Sequence, residues 1–228
     1  MAEVAGTTRE SGNQDRPSAL LTFHLVDIRG YTRYSAEHGD QAAARLSERF
    51  LSLCRDVVLT HGGDVFGSAG DQALAAFTSA HAALHAALAL QSRLAEAQNT
   101  QPDVPLSAGI GLDTGEGIRI GHDYRGNAIN LAARLCSLAG GGEIFASETV
   151  IQVARKVEGL AVVDRGEVTL KGLAHPVRIV QIGPAGSLPD SLPPLQPILV
   201  THPTNLPDEP TLFIGRSGEL VQIDWTIG

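Results

Sequence analysis

The chain has 228 residues, 43% of them hydrophobic, and a formal net charge of −8, enough for one domain of about 150 to 200 residues with tails and a proper core. The acidic balance and the lack of any basic cluster argue against non-specific binding to nucleic acid or to an anionic membrane. No stretch approaches the ~20 apolar residues of a membrane span, the polar start has no signal-peptide hydrophobic region, and Cys54 and Cys136 lie in apolar helical patterns, so the expectation is a cytoplasmic protein with buried thiols.

Residues 1–18 are polar and aperiodic and read as a mobile tail. A strand is predicted over residues 19–27, where Leu21, Phe23 and Leu25 alternate with Thr22, His24 and Val26. Asp27 ends it. Ile28, Arg29, Gly30, Tyr31 and Thr32 then form a tight turn that can aim several backbone N–H groups at one spot, as loops that hold phosphate oxygens do. An acid beside such a turn points to a metal–nucleotide site, although an Asp ending a strand also serves as an ordinary turn residue.

Residues 40–60 carry Ala43, Leu46, Phe50, Leu53 and Val57 on one helical stripe, stopped by His61-Gly62-Gly63. DVFGSAGDQALAAF reads as a hairpin whose turn, Ser68-Ala69-Gly70-Asp71, places a second acid at a loop tip. A second helix is predicted over residues 79–97 with Ala83, Ala87, Leu90 and Leu94 inward. His81 and His85 lie one turn apart on it, without the third ligand that zinc helices supply, and read as exposed side chains. Residues 105–112 alternate as a strand turned by Asp113-Thr114-Gly115, and a short piece follows over residues 117–121. Asn127 is placed to cap a helix with Leu131, Leu135 and Leu138 inward, ended by Gly140, Gly141 and Gly142, with Asn130 and Arg134 sharing a face. The pattern continues through IFASETVIQVARKV and three short strands near residues 160–164, 167–170 and 177–182. Eight of the twelve prolines follow, from Pro184 to Pro210, so the expected organisation is a tail over 1–18, a domain over 19–183 and a Pro-rich linker with a downstream segment over 184–228. This order predicts an α+β fold, a ferredoxin-like antiparallel sheet with helices on one face.

Asp27, Asp71, Asp123, Asn130, Arg134 and Lys171 all fall at loop tips or on one helix face. With VDIRGYT, GSAGDQALAAF, LDTGE, DYRGNAINLAARL and TLKGLAHPV in that order, residues 19–183 resemble a bacterial class III nucleotidyl cyclase catalytic domain. The resemblance implies conversion of ATP, or less readily GTP, to a 3′,5′-cyclic nucleotide and pyrophosphate. It assigns Asp27 and Asp71 to two divalent ions, magnesium or manganese, which suit carboxylate ligands. Arg134 takes the part of stabilising the transition-state phosphate and Asn130 that of orienting the ribose. Lys171 and the turn of Ile28, Gly30, Tyr31 and Thr32 take the phosphates. Asp123, seven residues before Asn130, takes the base-reading position, where a carboxylate accepts from the adenine amino group and repels the guanine O6. In this family the acids come from one subunit and the base-reading and transition-state residues from the other, which implies a head-to-tail homodimer with two shared sites.

The sequence departs from the pattern at one place. Family members usually carry a base-reading lysine three residues before the glycine of the hairpin turn, and here that position is Gly67. The leading expectation is therefore a weak or base-relaxed cyclase, and the alternative a degenerate domain that dimerises, binds nucleotide or regulates. HGGDVF also invites comparison with the GGDEF hairpin of diguanylate cyclases, but Val65 replaces that motif's second acid, and Asp71 and the Asn130/Arg134 pair have no role in it. NLPDEPTLFIGRSGEL resembles the entry to signalling ATPase domains, which raises a regulator or ATPase as a possible partner; no GxxxxGK[ST] loop follows it.

Overall fold

The computed structural model describes residues 18–170, 173 and 175–195. Strand β1 (Ser18–Ile28) is the spine of the molecule. It pairs antiparallel with β3 (Gln72–Phe77) on one side and with β4 (Ala108–Ile120) on the other, and β2 (Asp64–Ala69) flanks β3. β6 (Ile144–Ser147) runs parallel to β4, and β8 (Val177–Pro184) and β7 (Leu160–Val168) complete the order β2-β3-β1-β4-β6-β8-β7. The short β5 (Asp123–Arg125) pairs back on the far end of β4.

The alternation seen in β1 sorts its side chains to two cores. Val26 and Ile28 face a large core shared with α2 (Asp40–Thr60), α3 (Ala80–Thr100) and α5 (Glu148–Ala154), in which Phe50, Leu84, Leu90 and Leu94 are almost wholly buried. Each such side chain contributes about 1.5 to 3 kcal/mol by leaving water. Leu21, Phe23 and Leu25 face the opposite way, onto α4 (Asn127–Leu138). The α+β class and largely antiparallel sheet are as expected, but the placement of helices on one face is corrected by α4, which packs on the other. Its buried residues are mostly small, Ala128, Ala132, Ala133 and Cys136, so the helix lies close to a strand bare of side chains at Gly109 and Gly111.

Four local expectations also change. Asp113-Thr114-Gly115 does not turn the chain: β4 runs straight through it, because every residue from Ala108 to Ile118 finds a partner on β1 and the Thr22 and Thr114 hydroxyls hydrogen-bond at 2.8 Å. Asn127 is the first residue of α4 and not its cap; Gly126 precedes the helix, and no side chain caps it. Residues 31–38, expected to belong partly to a turn, form the helix α1 (Tyr31–His38), which follows Gly30 in a left-handed conformation with φ +82°. The two pieces expected near 160–164 and 167–170 join as the single strand β7, irregular between Asp164 and Glu167. Beyond β8 the chain turns back, and the Leu195 N–H donates to the Arg165 carbonyl at 2.9 Å.

His24 is an outlier in the larger core. It is 1% exposed, neither ring nitrogen has a partner among the described residues, and burial together with the charge of His61 pushes its pKa down to about 3. The imidazole is a neutral aromatic filler, packed edge-on against Phe77 at 5.4 Å. Cys54 and Cys136 are free and buried, as expected. Among the described residues no helix is long and apolar enough to cross a membrane.

Candidate functional site

Two carboxylates meet where β1 ends. Asp27 is the last β1 residue opposite β3, in register with Gln72, so it lies beside the β2–β3 turn that carries Asp71. Gly70 takes φ +59° to make that turn, a conformation that favours glycine. The Ile28 N–H then donates to the Asp71 carbonyl at 3.0 Å, which clamps the hairpin tip to the end of β1. Burial raises the Asp27 pKa above its ordinary value; the Arg29 guanidinium opposes this and the Asp71 charge adds to it. The two acids therefore feel each other, and a cation between them relieves both the desolvation and the repulsion.

The turn after Asp27 is organised differently from a simple phosphate loop. The Ile28 N–H is committed to Asp71 and the Arg29 N–H to the Ser107 carbonyl at 2.8 Å, while the Ile28 side chain is buried. The first α1 hydrogen bond is from the Tyr34 N–H to the Gly30 carbonyl, so the amides of Tyr31, Thr32 and Arg33 are the donors that the helix leaves unpaired, with no side-chain cap. Gly30, Tyr31 and Thr32 thus present a helix N-terminus right after Asp27, the arrangement that attracts phosphate oxygens.

Asn130 is exposed on α4, and Arg134, one turn further, is partly buried, with its Nε unpartnered among the described residues. Asp123 is exposed at the start of β5, opposite Ile120 across a turn made by Gly121 at φ +65°. The hairpin is held in place by Tyr124, whose ring packs edge-on against Phe66 at 5.0 Å and Phe23 at 5.9 Å, tying β5 to β2 and β1. Gly67, next to Phe66, lies opposite Leu74 just after a bulge in β2. Among the described residues no hydrogen bond or ion pair joins Asp27 or Asp71 to Asp123, Asn130 or Arg134. The chain brings the two acids together, and it sets Asn130 and Arg134 together on α4, but it does not join the two groups. Lys171 lies outside the described residues.

Two neighbours escaped the sequence reading. Arg29 donates to Asp27 Oδ2 at 2.5 Å, and Gln72, in register with Asp27 on β3, opposes the burial-driven rise of its pKa. Arg29 stands inside VDIRGYT, two residues from the acid, which was the available signal. Beneath α4, Asp113 is buried and accepts from the Ser147 hydroxyl, with its pKa pushed up to about 6 by burial.

The donor set suits a hard cation. Asp27 and Asp71 offer oxygen ligands only, and among the described residues no group of three His, Cys, Asp or Glu could form an all-protein cage. Two carboxylates suffice for magnesium or manganese, which keep several waters and share substrate phosphates. Arg29 already places a positive group beside Asp27.

Residues 15–182 match the model of the adenylate and guanylate cyclase catalytic domain. The chain is 32% identical over 209 residues to an uncharacterized protein of Mycobacterium tuberculosis, covering 90% of this chain and 70% of that one. It is 28% identical over 196 residues to a Rhizobium meliloti (strain 1021) protein that carries an adenylate cyclase name, covering 86% of this chain and only 33% of that protein. Among solved structures, the guanylyl cyclase Cya2 is similar with a TM-score of 0.64 and 26% identity, over 75% of this chain and 96% of that one. An adenylate/guanylate cyclase/hydrolase from Silicibacter pomeroyi is similar with a TM-score of 0.64 and 27% identity, over 74% of this chain and 99% of that one.

Proposed function

The chain belongs to the adenylate and guanylate cyclase catalytic domain family, and from that premise we propose that it is a cyclase working as a head-to-tail homodimer, with ATP as the preferred substrate and a reduced rate. The observation that carries this reading is the split of the site. Asp27 and Asp71 converge at the clamped hairpin, whereas Asp123 lies on β5 and Asn130 and Arg134 on α4, with no hydrogen bond or ion pair to the acids among the described residues. A second copy supplies what each half lacks.

Cyclisation drives the ribose 3′ oxygen onto the α-phosphate and expels pyrophosphate. Negative charge on the phosphates must be offset as the new bond forms. Asp27 and Asp71 would hold divalent ions, which would supply Lewis-acid chemistry and charge neutralisation at the phosphates. The unpaired α1 amides at Tyr31 and Thr32 receive phosphate oxygens beside them, and Lys171 assists at the terminal phosphates. From the partner, Arg134 places its guanidinium on the α-phosphate, where its fork can hold two oxygens. Asn130, one turn away on the same helix face, orients the ribose. Asp123 accepts from the adenine amino group and disfavours guanine. Purified protein incubated with ATP or GTP and manganese should yield a 3′,5′-cyclic product, faster from ATP. Nucleotide binding with no product would favour the second reading, a degenerate binding and dimerisation domain, whose motivating observation is Gly67 at the base-reading lysine position.

A further inference from the structure

We infer that Arg29 is a positioning residue that couples the two half-sites carried by one chain, the Asp27/Asp71 pair and the helix bearing Asn130 and Arg134. The inference rests on the reading of Asp27 as a cation ligand. One guanidinium nitrogen, Nη1, donates to Asp27 Oδ2 at 2.5 Å. The other, Nη2, donates to the Cys136 carbonyl in the last turn of α4 and lies 3.7 Å from Cys136 Sγ. A positive group at that helix end also suits the dipole of α4.

The slot is built for this side chain. A Cβ on Gly109 would overlap the guanidinium and sit 2.7 Å from the Ala139 carbonyl oxygen, and Gly109 does not adopt a left-handed φ, so glycine is there for room. The Arg29 backbone is fixed by its bond to Ser107, and its Nε is buried without a partner among the described residues, which leaves the two terminal nitrogens as the working contacts. A planar guanidinium reaches two separate acceptors at once. A lysine ammonium is a compact point charge that cannot reproduce this fork.

In a head-to-tail dimer Asp27 serves one site, while Asn130 and Arg134 of the same chain serve the other. A cation arriving at Asp27 competes with Arg29 for the carboxylate. Any change in the hold of Arg29 is passed to the Cys136 carbonyl and hence to the end of α4. Occupancy of one site is thereby communicated to the other through Asp27, Arg29 and the last turn of α4, which supplies the differential contact that coupling between sites requires.

Hydrogen exchange on the 228-residue chain tests this, with manganese chloride alone as the probe and its binding read at the β2–β3 turn. In metal-free protein, Arg29→Lys should raise exchange at the amides of residues 137–141 by about threefold or more, with the protection of β1 and α3 unchanged. Asp27→Asn should raise it at the same amides, since it weakens the hold on Arg29 from the other side. Manganese should raise it in the parent and leave Arg29→Lys unmoved, while the Arg29→Lys and Asp27→Asn double variant should exceed neither single one. An α4 end that exchanges in Asp27→Asn as in the parent, or that responds to manganese equally in Arg29→Lys and the parent, overturns the coupling. If manganese does not bind the parent, the cation reading of Asp27 fails, and the metal-free comparison of the three proteins still decides whether Arg29 links the acid to the helix.

Discussion

Restoring the missing base-reading group is the sharpest probe of the proposed chemistry, and the backbone permits it. Gly67 has no left-handed φ, and the nearest atoms to a Cβ built there belong to the Leu74 side chain, at 3.5 to 3.9 Å, which is ordinary contact. Gly67→Lys should therefore fold without strain, with the stability change limited to a few tenths of a kcal/mol in either direction on an edge strand. The 5.0 Å contact between Phe66 and Tyr124 places this part of β2 beside the hairpin that carries Asp123, so a long side chain at 67 starts close to the proposed base pocket. One charged hydrogen bond is worth about 1.5 to 3 kcal/mol, or roughly tenfold to a hundredfold in kcat/KM. The assay compares ATP and GTP turnover of the parent and Gly67→Lys with manganese at equal dimer content. A rise in kcat/KM for ATP that exceeds the rise for GTP is expected. A folded, dimeric variant with unchanged kcat/KM for both nucleotides would refute the assignment of position 67 to the base pocket.

Other outcomes follow from the same geometry. Asp71→Ala and Arg134→Ala should each be silent, and mixing them should restore about a quarter of parental activity, because half of the dimers are mixed and each carries one intact site; mixed dimers without activity would count against shared sites. Calorimetric titration of manganese in the presence of a non-hydrolysable ATP analogue should show binding weakened at least tenfold in Asp27→Ala and in Asp71→Ala, and unaltered titrations would reduce both acids to turn residues. Asp113 has its pKa raised from 3.8 to about 6 in the fold, so its contribution is fully favourable below about pH 4 and is lost as the pH rises through 6, a change of about 3 kcal/mol. Asp113→Asn should accordingly be more stable than the parent to urea at pH 7.5, by about 1 to 3 kcal/mol, with the advantage vanishing near pH 4; equal stability at pH 7.5 would show that the carboxylate is well solvated.

The sequence made the sheet and long helices legible because their periods are strong. The stripe of Ala43, Leu46 and Phe50 and the alternation around Phe23 each have one physical solution. Helix α1 was hidden because it buries no residue and begins without a capping side chain. The run through Asp113-Thr114-Gly115 was hidden for the opposite reason: turn-forming residues were overruled by eleven consecutive partners on β1. Which sheet face receives α4 is not encoded in its own stripe, since small residues at Ala128, Ala132 and Cys136 say only that something approaches closely. The acids of the site were visible as loop-tip residues, but the placement of Gln72 beside Asp27 depends on a register between distant strands.

The bare stripe of β4 has a consequence for how this molecule tolerates change. A Cβ on Gly111 would overlap the backbone of α4 at Ala132 and Cys136, and one on Gly115 would come within 3.0 Å of the Ala128 methyl. None of these glycines adopts a left-handed φ, so each acts as a spacer of zero thickness that sets how deep α4 sits. Adding a single methyl group at 111 would lift the helix while its outer side chains kept their own surroundings. The rim formed by Asn130 and Arg134 would then ride outward with it, changing the gap to the facing subunit of the proposed dimer. Because the atoms in the way at 111 are helix backbone, such a change should cost stability as well as shift the helix, and in the proposed dimer it would alter the distance between the two half-sites from behind.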